Sequence, residues 1–147
     1  MKNPFRLLII SIVFLSVSAI SIASIPLYNL LVNAKTNPIS YIGTALLWIG
    51  IIGGYVALCM FIRKHRGLRA KGRIGVITFF RNRYALIADV VLVIALVLIV
   101  VLALLRTGSM AIYSLLFGIV FLFFNLHCIF NGRVFHTLIK KRSGRNG

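Results

Sequence analysis

Few side chains in this chain of 147 residues can do chemistry, and several of them fall at matching depth in its apolar segments. Asp89 is the single acidic residue. His127 and Cys128 are adjacent, Asn125 and Asn131 flank them, and Cys59 ends an earlier apolar run. An acid and an imidazole in reach of each other form an ion pair or pass a proton. An ionisable group at such depth costs several kcal/mol unless it is paired, so it reads as a site or as a fixed structural contact. His127 and Asn131 are four residues apart, on one face of a helix, and are the expected cross-helix partners of Asp89. Arg83, six residues upstream, is the expected local partner.

The same side chains also hold the donor types of a zinc or other transition-metal site. Their spacing speaks against one. Adjacent residues on a helix point about 100° apart, and the chain has no CxxC or HxxxH pattern. No metal or cofactor is expected. Nor is an enzyme expected, because one Asp with scattered His lacks the base, nucleophile or metal set that hydrolysis or group transfer needs. Cys59 and Cys128 both lie by the face that charge marks as reducing, so free thiols are expected there and not a disulfide.

The elements that position these groups follow from the apolar runs at 7–32, 41–62, 84–105 and 110–131. A helix of 22 residues is about 33 Å long, which matches a hydrocarbon core of about 30 Å. Backbone polar groups in lipid must be satisfied within the segment, so such runs are helices. The predicted fold class is all-α: a polytopic membrane protein of four transmembrane helices in one membrane domain. A basic loop at 63–83 and a basic tail at 132–147 complete it.

Charge orients the bundle. Of 17 Lys and Arg, only Lys35 and Arg106 fall in the gaps after the first and third runs. Lys2 and Arg6 precede the first run, and the loop carries Arg63, Lys64, Arg66, Arg69, Lys71, Arg73, Arg81 and Arg83. Arg133, Lys140, Lys141, Arg142 and Arg145 follow the fourth. The positive-inside rule then places both termini in the cytoplasm. The net charge of +16 is read as topology and attraction to anionic headgroups. The loop residues and Lys140, Lys141 and Arg142 are the expected lipid contacts. No zinc-ligand spacing, helix-turn-helix or RNA-binding signature accompanies them, so no nucleic-acid partner is expected. Gly67 and Gly72 have the spacing of a phosphate loop, but Arg73 and Ile74 stand where its Lys and Ser or Thr belong.

The N-terminus imitates a signal peptide ending at Ser21-Ile22-Ala23. Its apolar character continues through Ile25, Leu27, Leu30 and Leu31, longer than an ordinary signal core, so an uncleaved span is expected. Ser11, Ser16, Ser18, Ser21 and Ser24 in this run suit close helix packing and bonds to a neighbour, and Pro26 is expected to kink or fray its last turn. In the second run Gly50 and Gly54 form GxxxG, and Gly53 and Ala57 repeat the spacing on the next strip, extended by Gly43. That strip is the expected packing face, against the first span or a second copy. Tyr41 and Trp48 read as interfacial aromatics. From Val90 to Leu105 the third run holds only Val, Leu, Ile and Ala, so nothing polar marks an inner face and no polar path is expected through it. Ile74–Phe80 and Val134–Ile139 are apolar between basic flanks and suit the bilayer interface.

In length and span number the chain is similar to small multidrug exporters. Those use an intramembrane acid in the first span, where this chain has only Ser and Asn. The expected function is that of a small non-enzymatic membrane protein. It would act through helix contacts, by self-association or with another membrane protein, as an accessory, assembly or regulatory subunit. The alternative is a small oligomeric proton-coupled transporter using Asp89. The expected location is a bacterial cytoplasmic membrane, an expectation that compact length and short connections suit and do not derive.

Overall fold

The structure is a computed structural model that describes residues 5–32, 38–65, 79–80, 82–132, 134–135 and 137–139. They form α1 (Arg6–Val32), α2 (Pro38–Lys64), α3 (Leu86–Leu105) and α4 (Met110–Phe130). All four are long and apolar enough to cross a membrane, and no strand occurs among the described residues.

The bounds differ from the apolar runs for local reasons. α2 starts at Pro38, whose fixed φ and missing N–H suit a first helical position. It continues into Arg63 and Lys64, cations that favour the negative end of the helix dipole. Pro26 lies inside α1, which runs on to Val32 and does not end at the proline. α3 begins two residues late because Asn82 builds a turn first: its side chain accepts from Tyr84 N–H at 3.0 Å and its carbonyl from Ala85 N–H at 2.9 Å. At the far end α3 closes in a Schellman motif. Arg106 takes the left-handed position at φ 53°, and Thr107 N–H returns to Leu102 O at 3.3 Å. Ser109 Oγ then caps α4 by accepting from Ile112 N–H.

α1 is the hub, packed between α2 and α4, while α3 packs along α4. The glycine strip of α2 meets α1. A Cβ on Gly50 would stand 2.6 Å from Phe14 O, one on Gly54 2.8 Å from Leu15 Cγ, and one on Gly53 2.8 Å from the Phe14 ring. That closeness lets two serines bond across: Ser11 Oγ donates to Gly54 O at 2.8 Å and Ser18 Oγ to Leu47 O at 3.0 Å. Both serines are buried, as is Ala57. The other three serines bond only within their own helix, Ser16 to Ile12 O and Ser21 to Val17 O.

A second close crossing joins α1 to α4, where a Cβ on Gly118 would stand 2.7 Å from Ala19 O. α3 buries Ala88, Asp89, Leu92 and Ala95 against the bundle. Those positions make one helical stripe of small and branched residues, so α3 does have an inner face. Beyond Ala95 its side chains are exposed or half-buried.

The alternating helix directions bring the start of α1, the end of α2, the start of α3 and the end of α4 to one end, here the basic end. Arg6, Arg63, Lys64 and Arg83 are exposed there. Leu8, Phe61, Ile129, Phe135 and Leu138 form an apolar cluster at this end. Phe135 also meets Phe5 and Tyr84 edge-to-face. In the segment expected at the interface, Phe135 and Leu138 pack into the protein.

Candidate functional site

The polar side chains of the basic end gather around Asp89. This residue lies in the first turn of α3 and His127 in the last turn of α4. A helix N-terminus favours an anion and a C-terminus a cation, so both dipoles favour an Asp–His ion pair. The antiparallel packing brings the two together: His127 Nδ1 is 2.5 Å from Asp89 Oδ1, with both side chains fully buried. In the tautomer that carries its proton on Nδ1, the ring donates to this carboxylate oxygen. Asn131 Nδ2 stands 3.1 Å from the same ring nitrogen.

The second carboxylate oxygen is also engaged. Phe80 N–H donates to Asp89 Oδ2 at 2.6 Å. Phe80 sits at φ 58°, a left-handed backbone that costs a side-chain-bearing residue roughly 1–2 kcal/mol. A hydrogen bond to a buried carboxylate contributes about 1.5–3 kcal/mol and offsets it. Phe79 stacks flat on His127, with ring centroids 4.3 Å apart and planes 16° apart. Asn82 ties the same turn to α4 through Nδ2, which donates to Phe130 O at 2.8 Å and reaches Asn131 Oδ1 at 3.3 Å. The result is a network that joins α3, α4 and the residues preceding α3.

Asp89 therefore meets His127, and Asn131 joins through the same ring nitrogen and not by a contact with the carboxylate, while other expected members stay apart. Asn125 belongs to a separate pair: Tyr55 OH donates to its Oδ1 at 2.8 Å, linking α2 to α4, and its own Nδ2 donates to Phe121 O. The reason is geometric, because residues two apart on a helix point about 200° apart. Arg83 is exposed, so the local partner of Asp89 is a backbone amide and not a guanidinium. Cys59 is an exposed free thiol and Cys128 a half-buried one. No group of three His, Cys, Asp or Glu converges to hold a metal among the described residues. Of the expected lipid contacts, Arg63, Lys64 and Arg83 are exposed. Arg66, Arg69, Lys71, Arg73, Arg81, Lys140, Lys141 and Arg142 lie outside the described residues, as do Ile74–Thr78.

Three participants escaped the reading of the sequence. Phe79 and Phe80 look like ordinary apolar residues of the loop, and a backbone N–H carries no signal in residue type. Asn82 did carry one: an Asn just before an apolar helix is a start signal. No protein-family model matches the chain, and no characterised protein or solved structure does.

Proposed function

We propose that this is a non-enzymatic multi-pass protein of a bacterial cytoplasmic membrane, with both termini inside. It works through helix contacts as an accessory, assembly or regulatory subunit of a larger membrane complex. The observation that carries the reading is the closed bonding of Asp89: each carboxylate oxygen has a partner, and those partners hold two helices and a turn in place. The only acid of the chain serves architecture. What remains for interaction is helix surface, and α3 offers Ile94, Val97 and Val101, exposed along one stripe.

Proton-coupled transport is the second reading, favoured by the short Asp89–His127 contact. Against it, α3 is apolar from Val90 to Leu105, so a relay starting at Asp89 has no onward lining from that helix.

Isolation of the tagged protein from its own membranes in mild detergent tests the proposal. A defined larger complex should co-purify. Joint replacement of Ile94, Val97 and Val101 by serine should release it without changing the size or helicity of the isolated protein. Recovery of only a homo-oligomer, unaffected by those substitutions, would count against the accessory role.

A further inference from the structure

The turn that closes over Asp89 also has an outward side. Phe80 and Tyr84 are 53% and 48% exposed, and Arg83 is exposed between them in sequence. Two aromatic rings around a cation is the composition that a bilayer interface selects. Amphipathic and aromatic rings settle at headgroup level, and each surface Lys or Arg gains about 1 kcal/mol from anionic lipid.

The arrangement is held from both ends. Phe80 keeps its left-handed backbone through its bond to Asp89, and Phe79 is stacked on His127. Asn82 is fixed by Phe130 O and in turn receives Tyr84 N–H. Side chains not used inward are thereby set at fixed places on the surface, with little ordering left to do on contact. The ring edge of Phe135 braces Tyr84 at a centroid distance of 6.0 Å. Around this face the described charges are all positive: Arg6, Arg63, Lys64 and Arg83 are exposed, and the sole acid is buried.

We propose that Phe80, Arg83 and Tyr84 form a preset docking face for the anionic phospholipid headgroups of the adjoining leaflet. Asp89 is the positioning residue that holds the face in shape. The proposal rests on the reading that the basic end lies at the cytoplasmic leaflet.

The test uses the full chain in nanodiscs with Trp48→Phe and Phe80→Trp, giving a single reporter on the face. Quenching by a phospholipid brominated high on its acyl chain reads contact with the interface. Replacing part of the phosphatidylcholine by phosphatidylglycerol is expected to raise the docked-to-undocked ratio about fivefold, the equivalent of about 1 kcal/mol for one cation. Arg83→Gln, at an exposed side chain, is expected to abolish that difference. Asp89→Leu should lower the quenching in both lipids while leaving the emission of Trp48, in the parent chain, unchanged. Quenching indifferent to phosphatidylglycerol, or to Arg83→Gln, overturns the proposal, and so does a reporter that no lipid quenches. Should Asp89→Leu disturb Trp48 as well, the Arg83 arm still decides. Labelling of Arg83→Cys from the outside would refute the orientation alone, separately from the quenching result.

Discussion

Asp89→Leu is expected to destabilise the protein by about 3 kcal/mol or more, the usual cost of removing one partner from a buried pair. The loss takes the carboxylate from the His127 ring nitrogen, strands the Phe80 N–H inside the protein, and removes the bond that offsets the left-handed backbone of Phe80. Asp89→Asn is far milder, about 1 kcal/mol, because an amide of the same shape still accepts from Phe80 N–H and still meets the imidazole. Joint replacement of Asp89 and His127 by leucine should cost less than the two single changes added together, since no orphaned charge remains. Thermal unfolding in a mild detergent, followed by helicity, measures all three. Equal stability of wild type and Asp89→Leu would mean that the network does not hold the helices.

Gly50→Ile is the second large effect, roughly 3 kcal/mol, at the upper end of what overpacking costs. Its first carbon would stand 2.6 Å from Phe14 O, which belongs to the backbone and cannot swing aside. The helices must part, and with them go the bonds from Ser11 and Ser18 to the carbonyls of α2. Val97→Ile on the exposed side of α3 should lie within about 0.5 kcal/mol of wild type. The same unfolding measurement compares them. Similar midpoints for the two variants would place the glycine strip outside the α1–α2 contact.

The legibility of this molecule in its sequence varied with the kind of signal. Span number and the small residues of α2 were plain, because apolar length and a bare glycine stripe are properties of residue type. The meeting of Asp89 with His127 could be read from depth, and four-residue spacing put Asn131 on the same face of α4, where it reaches His127. The α1–α4 crossing at Gly118 was not read, although Ser114 stands four residues before it and gives the small-xxx-small spacing that marks such a contact. The inner face of α3 was hidden because Ala88, Leu92 and Ala95 are as apolar as the exposed Val, Leu and Ile around them. The burial of Phe135 and Leu138 was equally hidden, as apolar residues between basic ones suit an interface and a core alike.

We propose that the one acid of the chain holds structure and does not carry protons. Proton flux into proteoliposomes, driven by an imposed pH gradient, tests it most directly. Vesicles holding the wild-type protein should leak no faster than protein-free vesicles, and Asp89→Asn vesicles should behave the same. A measurable flux in the wild type, lost in an Asp89→Asn protein that remains folded, would contradict it.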